Sequence, residues 1–345
     1  MKSVNIRSLE LADIERWVEE RGFEPYRASQ IAGWLYNRPL AATAAMHNLP
    51  VELRAALESD FDCTIPVVSR ESRSGDGTTK LLVRLADEAV VESVLIPREE
   101  RITVCLSSQV GCALDCQFCA TATLGLQRNL EPAEIVAQVM LAREAAAPEP
   151  LTNFVFMGMG EPLANYDRLL RALSIMTARW GLGISPRRIT VSTVGLVPQL
   201  ERLVRETSVH VAVSLTAARD ELRDRLMPVN RRYPLAELMA ACRRLDLPRR
   251  KRVTLEYVLL GGVNDGERDA VDLVRLCHGI AVKVNLIPFN PYPGARFERP
   301  TPATIESFQH RLLSSGVHAT VRKSRGRDIE AACGQLAASD AAAIG

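Results

Sequence analysis

The chain has 345 residues, of which 47% are hydrophobic and 24% charged, and these values exclude a fibrous or disordered protein. Its 43 Lys and Arg residues nearly balance 41 Asp and Glu residues, so the net charge of +2 does not by itself indicate a nucleic-acid partner. At roughly 100 to 200 residues per domain, two or three domains are expected, or one large α/β domain with an extension. The charged start, MKSVNIRSLELADIERW, and the lack of a long apolar run predict a cytoplasmic protein without a membrane span.

The first hundred residues predict a small helical module followed by a β-hairpin. Apolar periodicity indicates three helices, at 9–21, 27–37 and 51–59. The stretch 71–79, ESRSGDGTT, is polar and rich in turn residues, which predicts a connector. Two apolar runs follow, at 80–85 and 89–96. Asp87 and Glu88 separate them, as in the turn of a hairpin.

From residue 102 onward, short runs rich in Val, Ile and Thr alternate with longer helical patterns, which predicts repeated βα units and a parallel sheet. The predicted strands span 102–106, 153–157, 188–192, 209–215, 253–260 and 282–288. The predicted helices between them span 131–146, 167–179, 196–205, 234–245 and 267–278. A helix at 302–314 and a strand at 317–322 close the domain. The units are too few for a full eight-unit barrel, so an open or partial barrel is expected.

The predicted fold class is therefore α/β, a partial (βα)6 barrel with an N-terminal helical accessory domain and a β-hairpin extension. The expected boundaries are 1–69 for the helical domain, 70–101 for the connector and hairpin, 102–336 for the barrel and the segment after it, and 337–345 for a tail.

The strongest local signal is the cysteine triple in GCALDCQFCATATLG, where Cys112, Cys116 and Cys119 follow a C-x3-C-x2-C spacing. With 8 Cys in 345 residues, chance gives such a triple in roughly 0.004 of chains. Cytosolic thiols stay reduced, so metal ligation or thiol chemistry is favoured over disulfides. Three thiolates on one loop fit a 4Fe-4S cluster with one open iron. A structural zinc site needs a fourth ligand, and the nearest histidines, His47 and His210, could reach it only through the fold.

Gly-rich and hydroxyl-rich turns follow the predicted barrel strands, at the end where barrel enzymes hold their ligands. In MGMGEPLAN, Gly158 and Gly160 permit a close backbone approach, and Glu161 offers a carboxylate to an ammonium group. The alternative is a plain strand-to-helix turn in which Asn165 caps the helix. Further strands end at Ser192, at the triplet SLT of residues 214–216 and at Asn290. Single residues of these types are also common in turns and caps.

Two cysteines outside the triple differ from the rest. Cys63, Cys242 and Cys277 lie in apolar or helical contexts that are typical of small buried side chains. Cys105 lies inside the first barrel strand, and Cys333 lies between small residues in AACGQLA. The stretch before Cys333, RKSRGRD, contains Arg322, Lys323, Arg325 and Arg327. Such charges are expected to favour a thiolate at Cys333 and to attract phosphate.

The cysteine spacing after the first strand resembles that of radical S-adenosylmethionine (SAM) enzymes, in which SAM chelates the open iron through its amino and carboxylate groups. Six segments resemble, in order, the motifs of the RlmN/Cfr family of radical SAM adenosine methyltransferases. They are LSSQVGCALDCQFC, GMGEPLAN, VSTVG, LMPVNRRYP, NLIPFNPYPG and RKSRGRDIEAACGQL. The resemblance covers about residues 26–336, and its last block is especially specific because generic radical SAM enzymes lack it.

The resemblance implies a transfer that uses two SAM molecules for each methyl group. Cys333 is methylated first, and a 5′-deoxyadenosyl radical then abstracts hydrogen from that methyl group, whose carbon adds to adenine. Cys105 resolves the protein-RNA adduct through a transient disulfide with Cys333. Glu92, in VVESVLIP of the hairpin, matches the family's proton acceptor. From the residues alone, a solvated carboxylate on a half-buried strand is the alternative for Glu92.

The resemblance also implies the ligands of each cofactor. The 4Fe-4S cluster is expected on Cys112, Cys116 and Cys119. SAM contacts are expected at Gly160, Glu161, Ser192, Ser214, Leu215, Thr216 and Asn290. At one of these positions the chain departs from the family, because Thr216 stands where His is common. If the main chain at this position contacts SAM, the change from His to Thr leaves that contact intact. A contact made by the family's His side chain cannot be transferred to Thr216.

The implied function is methylation of adenosine carbon 2 in 23S rRNA, with tRNA as a second substrate. Within the family, the alternative is carbon 8 methylation of the same rRNA nucleotide, which confers antibiotic resistance. From another class, a non-enzymatic iron-sulfur or zinc RNA-binding protein is the alternative, but it leaves Glu92, Cys105 and Cys333 without a role. Basic clusters at 231–232, 249–252 and 322–327 fit RNA phosphates. The resemblance to the family also implies a flavodoxin-type electron donor, and a monomer is expected.

Overall fold

The computed structural model of the protein describes residues 4–37, 43–248 and 251–337. Three N-terminal helices match the predicted ones: α1 (Leu11–Glu20), α2 (Tyr26–Asn37) and α3 (Val51–Asp60). The apolar face of α1 is fully buried at Ile14 and Val18 and belongs to the same core as the barrel. The hydroxyl of Ser8 also accepts a hydrogen bond from the Ala133 amide (3.1 Å), which joins this part of the chain to the first barrel helix.

Twelve strands follow in the described part of the chain. They are β1 (Val67–Arg73), β2 (Thr79–Arg84), β3 (Val90–Arg98), β4 (Arg101–Cys105), β5 (Gln109–Gly111), β6 (Leu126–Asn129), β7 (Asn153–Phe156), β8 (Ile189–Thr193), β9 (His210–Ser214), β10 (Val253–Leu259), β11 (Val282–Pro288) and β12 (Ala319–Val321). The remaining helices are α4 (Pro132–Ala146), α5 (Tyr166–Thr177), α6 (Val197–Glu206), α7 (Asp220–Leu226), α8 (Leu235–Arg244), α9 (Glu267–Cys277) and α10 (Pro302–Ser314).

Ten of the strands form one sheet, in the order β1-β2-β3-β4-β7-β8-β9-β10-β11-β12. The pairs from β4 to β12 are parallel, whereas β1 to β4 pair antiparallel. Strands β5 and β6 form a separate two-stranded sheet beside the cysteine triple. The predicted partial barrel of six βα units with a hairpin extension is therefore confirmed, and the predicted last strand adds a seventh parallel strand at its edge.

Three kinds of element were not predicted. Residues 71–73 of the expected connector belong to β1, which is polar and largely exposed because it forms the edge of the sheet. An edge strand exposed on both faces needs no apolar alternation, so its pattern resembles a loop. The short strands β5 and β6 and the helix α7 also escaped the periodicity argument, because each is too short to establish a period. The predicted tail lies outside the described residues, apart from Ala337.

The chain after β12 crosses from one edge of the sheet to the other. Residues 322–337, here called the C-terminal segment, run from β12 to the turn between β1 and β2. There the Gly326 amide donates to Oδ2 of Asp76 (2.9 Å), and Oγ of Ser74 donates to Oδ1 of Asp328 (2.6 Å). Because β12 and β1 are the two outer strands of the sheet, this segment connects both edges of the open barrel.

Within the described ranges, no helix is both long enough and apolar enough to span a membrane.

Candidate active site

Two adjoining cavities lie inside the barrel. The first, of about 130 Å³, is lined by the loop of the cysteine triple and by the carboxyl ends of β7 to β11. The second, of about 650 Å³, lies toward the amino ends of the parallel strands, where Arg101, Asn153, Thr190 and Lys283 line it, and residues of β3 and of the C-terminal segment complete its wall. Glu256, Asn290 and Cys333 line both cavities. Parallel barrels place their ligands at the carboxyl ends of the strands, where the first cavity lies.

The three cysteines of the triple line the first cavity together. The loop that carries them closes where the Cys112 amide donates to the Gly125 carbonyl (2.8 Å). Gly111 makes this closure possible, because a Cβ atom there would overlap the Gly125 carbonyl oxygen, and its φ is +75°. Burial raises the pKa of Cys112 to about 11, and burial and the neighbouring thiols raise the pKa of Cys116.

The donor set fits an iron-sulfur cluster. No three His, Cys, Asp or Glu side chains in the described ranges converge as the ligands of one metal ion do. The three thiols nevertheless share one cavity wall, and buried thiols with raised pKa values require a bound cation to become thiolates. Three thiolates beside the carboxylate of Glu161 suit a four-iron cluster with one iron open to another ligand.

Glu161 is held in place by the turn that follows β7. Gly160, at φ +93°, packs so closely on Gln109 that a Cβ atom would overlap that side chain, and the Glu161 amide donates to Oε1 of Gln109 (2.8 Å). The Glu161 carboxylate accepts from the amides of Leu163 and Val194 (both 3.0 Å). Burial raises its pKa to about 7. A buried carboxylate without an ion-pair partner among the described residues suits an ammonium group.

The alternative of a plain capped turn is not supported. Asn165 occupies the position before α5, but its side chain makes no cap hydrogen bond. Its Nδ2 donates instead to the carbonyls of Ser108 (3.0 Å) and Leu130 (2.8 Å). Asn165 therefore ties the turn to the loops on either side of the cysteine triple.

Five of the seven expected SAM contacts line the first cavity: Gly160, Glu161, Ser192, Ser214 and Asn290. Leu215 and Thr216 are fully buried and do not line it. Thr216 has a φ of +56°, which is rare for a β-branched residue, and its hydroxyl is buried without a hydrogen-bond partner. The Thr216 carbonyl accepts from Nδ2 of Asn264 (2.6 Å). The side chain at the position where the family commonly has His therefore does not line the first cavity.

A buried arginine that the sequence analysis missed supports the ends of β8 and β9. Arg223 of α7 is 0% exposed. Its guanidinium donates to the carbonyls of Val194 (2.8 Å), Ser214 (3.2 Å) and Leu215 (3.1 Å), and to Oδ1 of Asn230 (2.8 Å). A signal was present, because Arg223 lies just before the family motif LMPVNRRYP, but one arginine in the charged run DELRDR does not indicate burial.

The two distinctive cysteines lie close to the same two charged side chains. Burial raises the pKa of Cys105 to about 12 and the pKa of Cys333 to about 11. The positive charge of Arg322 opposes this rise at both thiols, and the negative charge of Glu256 adds to it. Arg322 therefore acts as the sequence predicted, but burial has the larger effect, and Cys333 is a thiol at neutral pH. All eight cysteines are free in this structure, so the transient disulfide stays a prediction.

Glu256 is a second side chain that the sequence analysis missed. It is 4% exposed on β10, and its carboxylate accepts from Oγ of Ser192 (3.2 Å) and Nδ2 of Asn285 (3.4 Å). The signal was a single acidic residue in the otherwise apolar strand VTLEYVL. Glu256 lines both cavities with Cys333, and its negative charge acts on the thiols of both Cys333 and Cys105.

Glu92 lies elsewhere. It is 2% exposed on β3 and lines neither cavity. Its Oε1 pairs with Nζ of Lys80 (3.0 Å), and its Oε2 accepts from the Ala337 amide (3.0 Å). The alternative of a solvated carboxylate is thus wrong, and the predicted role as proton acceptor stays a prediction.

The second cavity has a strongly basic wall. Its cations are Arg98, Arg101, Lys283, Arg322, Lys323 and Arg325. The predicted basic cluster at 322–327 therefore contributes to the cavity, whereas Arg231 and Arg232 lie exposed on the surface. Residues 249–250 of the third cluster lie outside the described ranges, and Nζ of Lys251 donates to the carbonyls of Ser208 (2.6 Å) and Val209 (2.8 Å).

Comparisons with known proteins cover nearly the whole chain. The radical SAM superfamily model matches residues 106–274, and the model of the ribosomal RNA large subunit methyltransferase N-terminal domain matches residues 4–62. A dual-specificity RNA methyltransferase RlmN of Geobacter sulfurreducens is 53% identical over 335 residues, which cover 96% of this chain and 92% of that protein. The RlmN of Syntrophobacter fumaroxidans is 48% identical, with coverages of 98% and 99%.

A solved structure agrees with these sequence matches. The crystal structure of a radical SAM methyltransferase from Sphaerobacter thermophilus is 48% identical and superposes with a TM-score of 0.93. The match covers 97% of this chain and 100% of that one. Fold and sequence therefore lead to the same family.

Proposed function

The chain belongs to the RlmN family of radical SAM methyltransferases, and we propose that it methylates carbon 2 of an adenosine in 23S rRNA and in tRNA. The observation that carries this proposal is the position of Cys333. Its thiol lies on the wall that the cavity of the cysteine triple shares with the basic cavity. A methyl carrier must reach both a methyl donor and the RNA base, and such a shared wall is the position from which it can do so.

When bound, the cluster and SAM supply a 5′-deoxyadenosyl radical. We propose that Cys112, Cys116 and Cys119 hold the cluster and that Glu161 binds the ammonium group of SAM. The proposed contacts of the other SAM groups are Gly160, Ser192, Ser214 and Asn290. Leu215 and Thr216 line neither of the two cavities, so we propose that they support the strand end from behind.

Cys333 is the proposed methyl carrier, and Cys105 is the proposed resolving thiol. Each thiol has to lose a proton to act as a nucleophile. Burial raises the pKa of both thiols and so disfavours both thiolates. Arg322 is the positive charge that lowers the cost of forming either thiolate.

The six cations of the second cavity support an RNA partner. Phosphate contacts with Lys and Arg supply much of the affinity for nucleic acids, whereas the base is recognised in a pocket. We propose that the adenine enters the second cavity while the phosphates of adjacent nucleotides bind its basic wall. We also propose that the helices α1 to α3 form an accessory RNA-binding surface. A flavodoxin-type reductant, a monomeric state and a cytoplasmic location belong to the same proposal.

Mass spectrometry tests the function directly. Anaerobically reconstituted enzyme is incubated with SAM, reductant and either a 23S rRNA fragment or tRNA, and both protein and RNA are digested. A methyl group on Cys333 together with 2-methyladenosine supports the proposal. Formation of 8-methyladenosine would assign the chain to the resistance branch, and unchanged RNA with an unmethylated Cys333 would refute the proposal.

Replacement of the resolving thiol gives a second test. In Cys105→Ala, the adduct between Cys333 and RNA is expected to accumulate, because no thiol remains to release it. The adduct is measured as a protein band that carries the RNA on a denaturing gel. The control is Cys277→Ala, a buried cysteine far along the chain in α9. Free methylated RNA from Cys105→Ala would contradict the role of Cys105.

A further inference from the structure

Three buried polar side chains connect the hairpin extension to the loop before the cysteine triple. They are Ser93 on β3, Ser107 after β4 and Gln138 on α4, and each is 0% exposed. Every other buried residue of α4 is apolar. Because an apolar side chain would fill the same space without any need for hydrogen-bond partners, packing alone does not explain a glutamine there.

The side-chain amide of Gln138 uses all of its hydrogen-bonding groups. Its Oε1 accepts from Oγ of Ser93 (2.8 Å) and from the amide of Ser107 (2.8 Å). Its Nε2 donates to the carbonyls of Ser107 (3.0 Å) and Glu134 (3.3 Å). A buried amide with two bonds on each polar atom is held in one orientation, so Gln138 fixes β3 relative to the loop that leads to Cys112.

The hydroxyl of Ser107 extends this connection to the SAM turn, defined here as residues 158–161. Oγ of Ser107 donates to the carbonyl of Glu92 (2.6 Å) and accepts from the amide of Met159 (2.9 Å). Gly158 packs against the same oxygen so closely that a Cβ atom there would lie 2.7 Å from it. One hydroxyl thus joins the main chain at Glu92 to the turn that carries two of the proposed SAM contacts.

The two ends of this connection are supported to different extents. The ladder between β3 and β4 ends at the pair Val94–Cys105, so Glu92 lies beyond the last main-chain pair with the barrel. The SAM turn has further bonds to the loop, since the Met159 carbonyl accepts from two of its main-chain amides (2.8 and 3.2 Å). Loss of the Ser107 hydroxyl is therefore expected to move Glu92 more than the SAM turn.

We propose that Ser107 and Gln138 are positioning residues that hold the carboxylate of Glu92 at a fixed place relative to the SAM turn. This inference rests on the proposed function and on Glu92 as its proton acceptor, the role that the resemblance implies. The acceptor has to take the proton from carbon 2 of the adenine to which the methyl carbon of Cys333 adds, so both elements need a common support. A displacement of about 1 Å is enough to slow such a step by about 100-fold.

The variant Ser107→Ala tests this role, because it removes both bonds of the hydroxyl and leaves the main-chain bonds of the loop in place. We expect it to form 5′-deoxyadenosine at close to the wild-type rate, since the cysteine triple and the SAM turn keep their other bonds. The yield of 2-methyladenosine per 5′-deoxyadenosine is expected to fall by at least about tenfold, because proton removal from carbon 2 becomes slow. Glu92→Gln, which removes the acceptor itself, sets the lower limit of this yield.

An isotope effect separates lost positioning from general damage. Deuterium at carbon 2 of the target adenine slows the removal of that hydrogen and no other step. We expect it to lower the yield of 2-methyladenosine per 5′-deoxyadenosine more in Ser107→Ala than in the wild type. A variant that only binds RNA or SAM poorly loses both products together and keeps the wild-type isotope effect.

Two further variants complete the comparison. Gln138→Met releases β3 from the loop and is expected to show the same fall in yield and the same larger isotope effect. The matched control is Ser108→Ala, in the same loop. Ser108 is 1% exposed, and its hydroxyl makes a long contact of 3.5 Å with the Met159 carbonyl, so its loss is expected to change neither readout.

Amide hydrogen exchange of peptides from β3 gives a readout that needs no activity. We expect faster exchange in Ser107→Ala and Gln138→Met than in Ser108→Ala. The inference is refuted if Ser107→Ala keeps the wild-type exchange in β3, or if its two products keep the wild-type ratio with either isotope. If Gln138→Met does not fold, Ser107→Ala alone decides. Absence of 2-methyladenosine from the wild-type enzyme would refute the proposed function, and exchange in β3 would then decide whether the network holds the hairpin.

Discussion

Replacement of Arg223 by Met is expected to destabilise the protein and to weaken SAM binding together. The substitution keeps an unbranched apolar side chain but removes the guanidinium group and its four hydrogen bonds. Bonds from a charged donor contribute about 1.5 to 3 kcal/mol each, although disruption of a buried charged network costs only about 3 to 5 kcal/mol in total because neighbours relax. We therefore expect a loss of about 4 kcal/mol in the free energy of unfolding.

This loss converts into a thermal shift. An unfolding entropy of about 2.1 cal/mol/K per residue over 345 residues gives about 0.7 kcal/mol/K. The melting temperature should then fall by about 6 °C. SAM binding, measured by equilibrium dialysis of the reconstituted enzyme, should weaken by at least about tenfold, because the freed carbonyls belong to the strand ends that hold the first cavity open.

The matched control is Arg225→Met, which changes an exposed arginine on the same helix. A surface substitution of this kind is expected to change stability by about 0.5 kcal/mol at most. Arg223→Lys keeps the charge but fewer of the hydrogen bonds, so it should lie between the two. Equal melting temperatures and equal SAM binding for the two Met variants would show that the buried guanidinium does not support the strand ends.

Three further outcomes are expected. Gly160→Ala should lower the melting temperature and abolish SAM binding, because φ is +93° there and the new Cβ atom overlaps the side chain of Gln109. The control is Gly262→Ala, which has φ +68° and open space around it. This variant has the same kind of backbone strain without the overlap and should still bind SAM. Thr216→Gly should raise the free energy of unfolding in urea by about 1 kcal/mol, since it relieves the strain at φ +56° and removes a buried hydroxyl without a partner; equal or lower stability would contradict this. Arg322→Gln should slow alkylation of Cys333 by iodoacetamide at about pH 9. Loss of the positive charge raises the pKa of this thiol further above about 11 and so reduces the thiolate fraction. Faster alkylation would refute the expected direction of the pKa change.

The sequence predicted the barrel well because its strands are buried in the sheet. The run VKVNLIP, for example, is β11 at the predicted residues, Val282–Pro288. Such runs can be recognised from their own residues, since the face of a barrel strand that packs into the core needs apolar side chains, here Val282, Val284 and Leu286. The polar edge strand β1 has no such requirement, and its existence depends on pairing with β2 rather than on its own residues.

The site was predictable where one loop or one strand end supplies the ligands. The cysteine triple and the turn at Glu161 are local in sequence, so spacing was sufficient to find them. The contacts of Glu92 with Ala337 and of Arg223 with three strand-end carbonyls join residues that are far apart in the chain or in different elements. No local pattern encodes such contacts, because they exist only once the sheet has brought the elements together.

The C-terminal segment has a mechanical consequence. It spans the side opening between the outer strands β1 and β12 and also carries Cys333, so a single stretch of backbone sets both the width of that aperture and the location of the thiol. Any widening that admits a bulkier substrate must displace the sulfur atom, and any swing of the sulfur must alter the aperture. Under the proposed function, entry of the nucleotide and presentation of the methyl group are therefore coupled through this one segment.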